Sequence, residues 1–263
     1  MRPSSGVRTT RAGSLAILAV IKNEAMGLRE WLAHYTWQGV DTILLLDNGS
    51  TERYDDILAD YPSAVLLPAP ERYAQVLHYG EIGRPWLEEH GIDFVAVVDV
   101  DEFLWSQEQG RTLKDLVLGA LDGVNGGSQL SCAFHHFGSS SYDRQPPSVR
   151  ECLTMRSAST SAVIHGKSIV RMRDLLRFNI HAHDVKGGTL PCPKGLLNFH
   201  YKVQSREYWA RVKMPRGDVS SESFNGARTW QIFDAEDRTG NVTVDTRLRD
   251  TLRTTNLAPT SKC

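Results

Sequence analysis

No glycine-rich phosphate-binding loop follows any of the apolar runs in this sequence. Neither the G-x-G-x-x-G pattern of dinucleotide-binding sites nor the G-x-x-x-x-G-K-[ST] pattern of P-loop proteins occurs. The absence of both patterns argues against a dinucleotide Rossmann site and against a P-loop nucleotidase. If the protein binds a nucleotide, a metal ion held by carboxylates is the expected anchor for its phosphates.

The sequence also lacks an excess of charge, a long apolar run and closely spaced cysteines. Thirty basic residues balance thirty-one acidic ones, so no general attraction to nucleic acid or to a membrane surface is expected. No run of apolar residues approaches the length of a membrane span. The four cysteines stand far apart, without C-x-x-C spacing, which favours free thiols and a cytoplasmic location over a disulfide framework.

The most informative stretch is residues 94–104, an apolar run that ends in carboxylates. Valine-rich residues predict a strand buried on both faces, and Asp99, Asp101 and Glu102 follow at its carboxyl end. Asp99 and Asp101 would project from one side of an extended backbone. Such oxygen ligands suit Mg²⁺ or Mn²⁺. The alternative is a pair of solvated aspartates at a strand end.

Apolar strands and amphipathic helices alternate through the first hundred residues. This alternation predicts an α/β fold with a mostly parallel sheet flanked by helices, followed by an irregular second half. We expect a disordered leader at 1–13, a single domain at 14–235 and a peripheral or disordered tail at 236–263. The domain would consist of a nucleotide-binding half (14–104) and an acceptor-binding half (105–235).

Polar residues follow three of the predicted strands at the same edge of the sheet. Ligands of open parallel sheets bind beyond this edge. A carboxylate there can accept hydrogen bonds from a ribose hydroxyl or a pyrimidine N–H, and a lysine can offset phosphate charge. Besides the two aspartates, the residues concerned are Lys22, Asn23, Glu24, Asp47 and Asn48.

The order and spacing of these motifs resemble those of a known enzyme family. The motifs are I-K-N-E at 21–24, H-Y at 34–35 with G-V-D at 39–41, D-N-G-S-T at 47–51, and D-V-D-E-F-L at 99–104. They are similar to those of the family 2-like glycosyltransferases of GT-A fold, in the branch related to the family 92 galactosyltransferase-like enzymes. Weaker similarity continues in F-G-S-S at 137–140, H-G-K-S-I-V-R at 165–171, H-A-H at 181–183, F-H-Y at 199–201 with Ser205, and R-G at 216–217.

The resemblance implies a role for each matching residue. Glu24 and Asp47 would contact the base or ribose of a nucleotide-diphosphate sugar, with Lys22, Asn23 and Asn48 nearby. Asp99 would face the ribose or the water shell of the metal, and Asp101 would bind Mn²⁺ or Mg²⁺ directly. A histidine of the second half would complete the metal shell, for which His183 is the first choice and His181 the second. Lys167 and Arg171 would hold the diphosphate.

These assignments have structural alternatives. His181 and His183 share a face of a predicted strand, so they could be a zinc pair or ordinary surface histidines. Lys167 and Arg171 could be solvated strand charges. The apolar stripe of α-helical spacing that contains Trp31 and Tyr35 is interpreted as core packing.

The general base is not decided by the sequence. An inverting transferase needs a carboxylate to take the proton of the acceptor hydroxyl. Asp143 and Glu151 are the main candidates, and Asp218 is a third.

The sequence therefore predicts a metal-dependent glycosyltransferase that moves a sugar from a nucleotide-diphosphate sugar, preferably a UDP-sugar, to an acceptor hydroxyl, with inversion. The acceptor would be a glycan, a glycolipid precursor or a small molecule, and no nucleic-acid partner or membrane span is expected. The alternatives are a sugar nucleotidyltransferase, which normally has a glycine-rich loop after its first strand, and a catalytically silent nucleotide-sugar or glycan-binding protein.

Overall fold

The computed structural model describes residues 13–72, 74–122, 127–159, 166–216, 228–255 and 263 of the chain. The predicted leader at 1–13 lies outside these residues except for Gly13. The strands are β1 (Leu15–Ile21), β2 (Thr42–Asp47), β3 (Ala64–Pro68), β4 (Phe94–Val97), β5 (Glu102–Ser106), β6 (Gly127–Cys132), β7 (Phe134–His136), β8 (Met155–Arg156), β9 (Lys167–Arg171), β10 (Leu175–Arg177), β11 (Asp184–Val185), β12 (Gly188–Pro191), β13 (Leu196–His200) and β14 (Thr243–Val244).

The helices divide into long ones that cover the sheet and short ones in the connections. They are α1 (Ala25–Trp37), α2 (Asp55–Leu58), α3 (Gln75–His78), α4 (Arg84–Glu89), α5 (Leu113–Leu121), α6 (Val149–Cys152), α7 (Arg206–Tyr208), α8 (Met214–Arg216), α9 (Trp230–Gly240) and α10 (Arg247–Thr254). A π-helical turn at Tyr79–Gly83 joins α3 to α4, and another at Trp209–Lys213 joins α7 to α8. Each of these pairs therefore forms one continuous helical segment.

The main sheet has seven strands in the order β12-β6-β9-β4-β1-β2-β3. The pairs β4-β1, β1-β2, β2-β3 and β12-β6 are parallel, whereas β9 runs antiparallel to both β4 and β6. The predicted α/β class, with a mostly parallel sheet flanked by helices, is confirmed. A second sheet, β5-β13-β7, lies in the part of the chain that was expected to be irregular.

The core has two layers because side chains of a strand alternate between the faces of the sheet. Odd-numbered residues of β1, such as Ile17 and Ala19, pack in one buried cluster with α1 and α5. Even-numbered residues, such as Leu18, pack in a second cluster with Tyr79 and Leu87 of the α3–α4 segment. With both faces covered, β1 is buried along its whole length, as its unbroken apolar run indicates.

The strand predicted at 94–104 is two strands separated by a turn. β4 ends at Val97, and β5 begins at Glu102 in a different sheet. Asp99 and Asp101 therefore lie in a turn rather than on one extended strand, and the prediction that they share a strand face is wrong. A backbone hydrogen bond closes this turn: the Glu102 N–H donates to the Asp99 carbonyl at 3.0 Å.

The carboxyl-terminal part of the chain is packed rather than peripheral. The predicted boundary at 235 falls inside α9, whose Phe233 is buried against Trp209. Leu248 and Leu252 of α10 belong to the main buried cluster. The prediction of a tail from residue 236 onward is wrong at these positions, because a short amphipathic helix buries its apolar residues although its composition is polar.

All four cysteines are paired, so the expectation of free thiols is wrong. Cys132 is bonded to Cys192, and Cys152 to Cys263. The paired cysteines are 60 and 111 residues apart in sequence, so their spacing does not indicate the pairing that the fold produces. Disulfides persist mainly in oxidising compartments. The argument from cysteine spacing for a cytoplasmic location therefore no longer holds.

None of the helices described in the structure is both long and apolar enough to span a bilayer.

Candidate functional site

The turn that carries Asp99 and Asp101 is held in place by helix α1. The Trp31 indole N–H donates to the carbonyls of Asp99 and Glu102, at 3.1 and 3.0 Å. The Tyr35 hydroxyl donates to the Glu102 carbonyl at 3.0 Å. Both rings are fully buried, as expected for core packing. The stripe of α1 therefore also fixes the position of the carboxylates at the end of β4.

Two of these carboxylates meet a histidine from β13. Asp101, Glu102 and His200 place one potential ligand atom each within 4.8 Å of one another. His200 Nε2 lies 3.6 Å from Asp101 Oδ1 and 4.0 Å from Glu102 Oε1. Two carboxylates and an imidazole form a donor set that suits Mn²⁺ and related divalent ions. We call these three residues the acidic cluster.

Burial and neighbouring cations set the charge of the cluster. Burial tends to raise the pKa of Asp101, but Lys213 and His200 hold it well below its usual value. For Glu102, burial dominates and its pKa is raised well above the usual value, although Lys167 opposes this. Asp101 therefore favours its ionised form more strongly than Glu102 does.

Two buried lysines and a partly buried arginine pair with the carboxylates in and beside the acidic cluster. Lys213, at the end of the π-helical turn, pairs with Asp101 Oδ2, and Arg216 of α8 pairs with Glu24. On the other side, Lys167 Nζ lies 3.1 Å from Asp99 Oδ2 and 3.6 Å from Glu102 Oε2. Each of these carboxylates therefore has a cation within ion-pair distance.

The predicted donor-binding residues at the ends of β1 and β2 have different surroundings. Glu24 is buried, and burial raises the pKa of its carboxyl group although the nearby Arg216 lowers it. Asp47 is the last residue of β2 and pairs in register with Ile21, the last residue of β1. Asp47 Oδ1 accepts the Ser50 N–H at 2.9 Å. Lys22 is half-buried beside them. The structure therefore places Glu24 and Asp47 at the same sheet edge as the acidic cluster.

The two asparagines hold loops. Asn23 Oδ1 accepts the N–H groups of Thr51 and Glu52, at 2.7 and 3.3 Å. Asn48 is buried and donates to the carbonyls of Ala69 and Glu71, at 2.8 and 2.7 Å. Their side chains support the walls of the site through these bonds.

Two other predicted site residues lie away from the acidic cluster. Arg171 pairs in register with Phe94, at the amino end of β4, and bonds to Asp174 at 3.1 Å. Because β9 is antiparallel, Lys167 reaches the carboxyl edge and Arg171 the opposite edge, so the diphosphate role predicted for Arg171 is wrong. His183 is buried near Phe178, and its Nδ1 accepts the Asn179 N–H at 3.2 Å. His200, not His183, joins Asp101.

The candidate bases also lie outside the acidic cluster. Asp143 is exposed, and its carbonyl accepts the Glu207 N–H at the start of α7. Glu151 is buried in α6, with Arg253 of α10 at 3.9 Å. His181 contacts the Gly166 carbonyl. Asp218 and His165 are outside the described residues.

Sequence reasoning did not assign four residues that the structure brings to the site. Glu102 was visible beside the two aspartates, and His200 and Arg216 stood in motifs that were noted without a role. Lys213 has no local signal, since its sequence context is that of an amphipathic helix end. His200, Lys213 and Arg216 approach through tertiary contacts; His200, for example, pairs in register with Glu102 between β13 and β5.

A family model matches the part of the chain that carries most of these residues. The model for glycosyltransferase family 92 matches residues 88–241, which is more than half of the chain. The chain belongs to glycosyltransferase family 92. The match covers the acidic cluster, Lys167, Lys213 and Arg216, but begins after Glu24 and Asp47.

Comparison with individual proteins agrees with membership of family 92. A family 92 glycosyltransferase protein of Ricinus communis is 25% identical over 251 residues, which cover 86% of this chain and 43% of the relative. The chain thus spans less than half the length of that relative.

Solved structures resemble the chain over part of its length. TarS of S. aureus in complex with UDP is 16% identical, with a TM-score of 0.42, covering 72% of this chain and 60% of that one. Glucosyl-3-phosphoglycerate synthase of Mycobacterium tuberculosis, in complex with Mn²⁺, UDP and glucosyl-3-phosphoglycerate, is 16% identical, with a TM-score of 0.35, covering 62% and 58%.

Proposed function

We propose that this family 92 protein transfers a sugar from a UDP-sugar to an acceptor hydroxyl, with the help of Mn²⁺ or Mg²⁺ and with inversion at the anomeric carbon. One observation carries the proposal. Asp99, Asp101, Glu102 and His200 converge at the sheet edge at which Glu24 also lies. Family membership favours this reading over a sugar nucleotidyltransferase.

The acidic cluster fits a divalent ion in its chemistry and in its burial. Asp101 and Glu102 are 2% and 1% exposed, and His200 turns its Nε2 toward both carboxylates. These residues would hold the ion, and Asp99 would face its water shell. A bound divalent ion would supply a Lewis acid that neutralises negative charge on the diphosphate.

The nucleoside would lie over the ends of β1 and β2. Carboxylates of Glu24 and Asp47 can accept hydrogen bonds from ribose hydroxyls and from the N–H of a uracil ring. Lys22 flanks the same edge. Asn23 and Asn48 contribute by holding the loops at 50–52 and 69–71 in place.

The cations of the site suit the diphosphate. Lys213 and Arg216 extend from one helical segment, and Lys167 enters from β9. In a substrate complex these residues would exchange part of their pairing with carboxylates for phosphate oxygens. Cations placed at developing charge are worth more in a buried site than in water. They would stabilise the nucleoside diphosphate as it departs.

In the reaction, the acceptor oxygen forms a bond to the anomeric carbon while the bond between that carbon and the diphosphate oxygen breaks. The proton of the acceptor hydroxyl passes to a carboxylate, and the electron pair leaves with the nucleoside diphosphate. Asp143 and Glu151 stay predictions for this base. Attack opposite to the leaving group gives inversion.

Thermal unfolding tests the donor and the metal together. UDP, GDP, ADP and their sugar derivatives would be added with and without Mn²⁺ to the wild type and to Asp101→Asn. A ligand at one hundred times its dissociation constant adds about 2.7 kcal/mol to the free energy of unfolding. We expect a UDP-dependent shift that requires Mn²⁺ and disappears in Asp101→Asn.

Asp60→Asn is the matched control, since Asp60 belongs to an exposed ion pair with Arg29. It should keep the shift. Slow, Mn²⁺-dependent release of UDP from the bound donor would distinguish a transferase from a silent binding protein. If no nucleotide gives a metal-dependent shift, the proposed function is wrong.

A further inference from the structure

A cavity opens in the carboxyl-terminal half of the chain, beside β7 and the segment after β13. It has a volume of about 420 Å³, within the range of small-molecule sites. Its walls come from β7, the segment after β8, the segment after β13, and α9. The lining residues used below are His136, Ser157, Ser159, Lys202, Glu236 and Thr239. We call it the Lys202–Glu236 cavity.

The cavity adjoins the acidic cluster through two neighbouring rings. His136 and His200 pair in register between β7 and β13, and their ring centroids are 5.1 Å apart. His200 in turn lies 3.6 Å from Asp101. His136, which lines the cavity, is therefore connected to Asp101 through the His200 ring. A molecule in the cavity would lie on the β7 side of the acidic cluster.

The charge of the lining is balanced. Lys202 Nζ donates to Glu236 Oε1 at 2.5 Å, and these are the charged side chains of the lining apart from histidine. The other polar groups named are hydroxyls, and the Thr239 hydroxyl bonds to the Glu236 carbonyl at 2.9 Å. A phosphorylated acceptor would meet Glu236 as well as Lys202. A neutral polyhydroxylated molecule can donate to the carboxylate and accept from the ammonium group.

The walls are held rigidly against each other. The loop after β7 is bonded to the end of α9: Ser139 N–H donates to Asp237 at 2.6 Å, and Gly138 N–H donates to the Gly240 carbonyl at 3.0 Å. A Cβ atom at Gly138 would lie 2.4 Å from Asn241 Oδ1, so only glycine allows this approach. The cavity is therefore formed before any ligand binds, as is usual for small-molecule sites.

We propose that the Lys202–Glu236 cavity is the acceptor subsite of this enzyme and that it takes a neutral sugar. Lys202 and Glu236 bind hydroxyl groups of that sugar and orient it toward the donor. The inference rests on the proposed function, and it adds the location and the chemical class of the acceptor.

The test separates acceptor binding from donor binding. Neutral methyl glycosides, and the 6-phosphate of each, would be used as probes in saturation-transfer NMR with the full chain and in assays with UDP-sugars and Mn²⁺. Thr239→Trp fills the cavity from an exposed position, and Lys202→Met and Glu236→Gln remove the charges. Thr254→Trp, on the exposed side of α10, is the control.

We expect neutral glycosides to receive saturation from the wild type and from Thr254→Trp, and the signal to fall at least about tenfold in Thr239→Trp. Transfer to a neutral glycoside should fall similarly in Lys202→Met and Glu236→Gln. UDP binding and Mn²⁺-dependent donor hydrolysis should stay within about twofold of the wild type. None of the 6-phosphate esters should restore transfer in the cavity variants.

Three outcomes would overturn the proposal: contact with no neutral glycoside, preference for the 6-phosphates, or cavity variants that transfer as well as the wild type. Equal loss of donor hydrolysis in these variants would also contradict it. If the wild type binds no nucleotide at all, the proposed function itself is wrong, and the acceptor proposal is wrong with it.

Discussion

At the scale of single residues, the site contains buried lysine and carboxylate side chains that form ion pairs with one another. Lys213 is 4% exposed and occupies Asp101, the carboxylate best suited to bind a divalent ion. Lys213 binds Oδ2 of Asp101, whereas Oδ1 faces His200, so a metal ion in the acidic cluster would share this carboxylate with the ammonium group and be repelled by its charge. Lys213 and the metal therefore compete for Asp101 unless the diphosphate is present to receive the lysine.

Replacing Lys213 tests this competition. In Lys213→Met, Asp101 loses its cation, so Mn²⁺ should bind more tightly without nucleotide, by about tenfold or about 1.4 kcal/mol. UDP should bind more weakly in the presence of Mn²⁺, because one diphosphate partner is gone. Titration of free Mn²⁺ by electron paramagnetic resonance, followed by calorimetry with UDP, measures both effects.

Lys114→Met is the control, because Lys114 pairs with Asp41 at 2.7 Å, away from the site. It should change neither affinity. Weaker Mn²⁺ binding in Lys213→Met would show that the lysine supports the metal site instead of competing with the metal.

At the scale of elements, the helices determine where the site residues lie. Helix α1 bonds to the turn after β4 through Trp31 and Tyr35, and its Glu30 accepts N–H groups of Val149 and Arg150 at the start of α6. Carboxylates stabilise helix amino termini in this way. Helix α1 thus links the two halves of the chain.

Helix α10 packs the carboxyl-terminal region against the core. Leu252 is fully buried in the main cluster, so Leu252→Ala should lower the free energy of unfolding by about 2–5 kcal/mol. Urea unfolding followed by circular dichroism measures the change. Thr254→Ala, at an exposed position of the same helix, should change it by less than about 1 kcal/mol. Equal, small effects would mean that α10 does not belong to the cooperative core.

At the scale of the whole molecule, disulfides join distant parts of the chain. Cys132–Cys192 closes a loop of 60 residues, which corresponds to about 4 kcal/mol of stabilisation in the chain-entropy model. Reduction should therefore lower the melting temperature. The Cys132→Ser/Cys192→Ser variant should melt lower before reduction and respond less to it. Four reactive thiols in the native, unreduced protein would contradict the pairing.

Much of the fold could be predicted from local sequence patterns. Apolar runs identified β1, β2 and β4, because strands covered on both faces need continuous apolar side chains. The identity of the family was also readable, since its motifs lie at strand ends in fixed order. Asp99 and Asp101 were also predicted as site residues from their position after an apolar run, and the structure places Asp101 in the acidic cluster. These features depend on neighbours in sequence, which the sequence displays directly.

Local sequence patterns therefore establish the order of elements, the edge of the sheet at which polar residues gather, and the family. Tertiary structure alone decided that β9 runs antiparallel, which moved Arg171 to the opposite edge and left Lys167 in place. It alone brought His200, Lys213 and Arg216 to Asp101 and Glu24, and joined the cysteines. The physical reason is that charge pairs and disulfides depend on distance in space, which no local periodicity encodes.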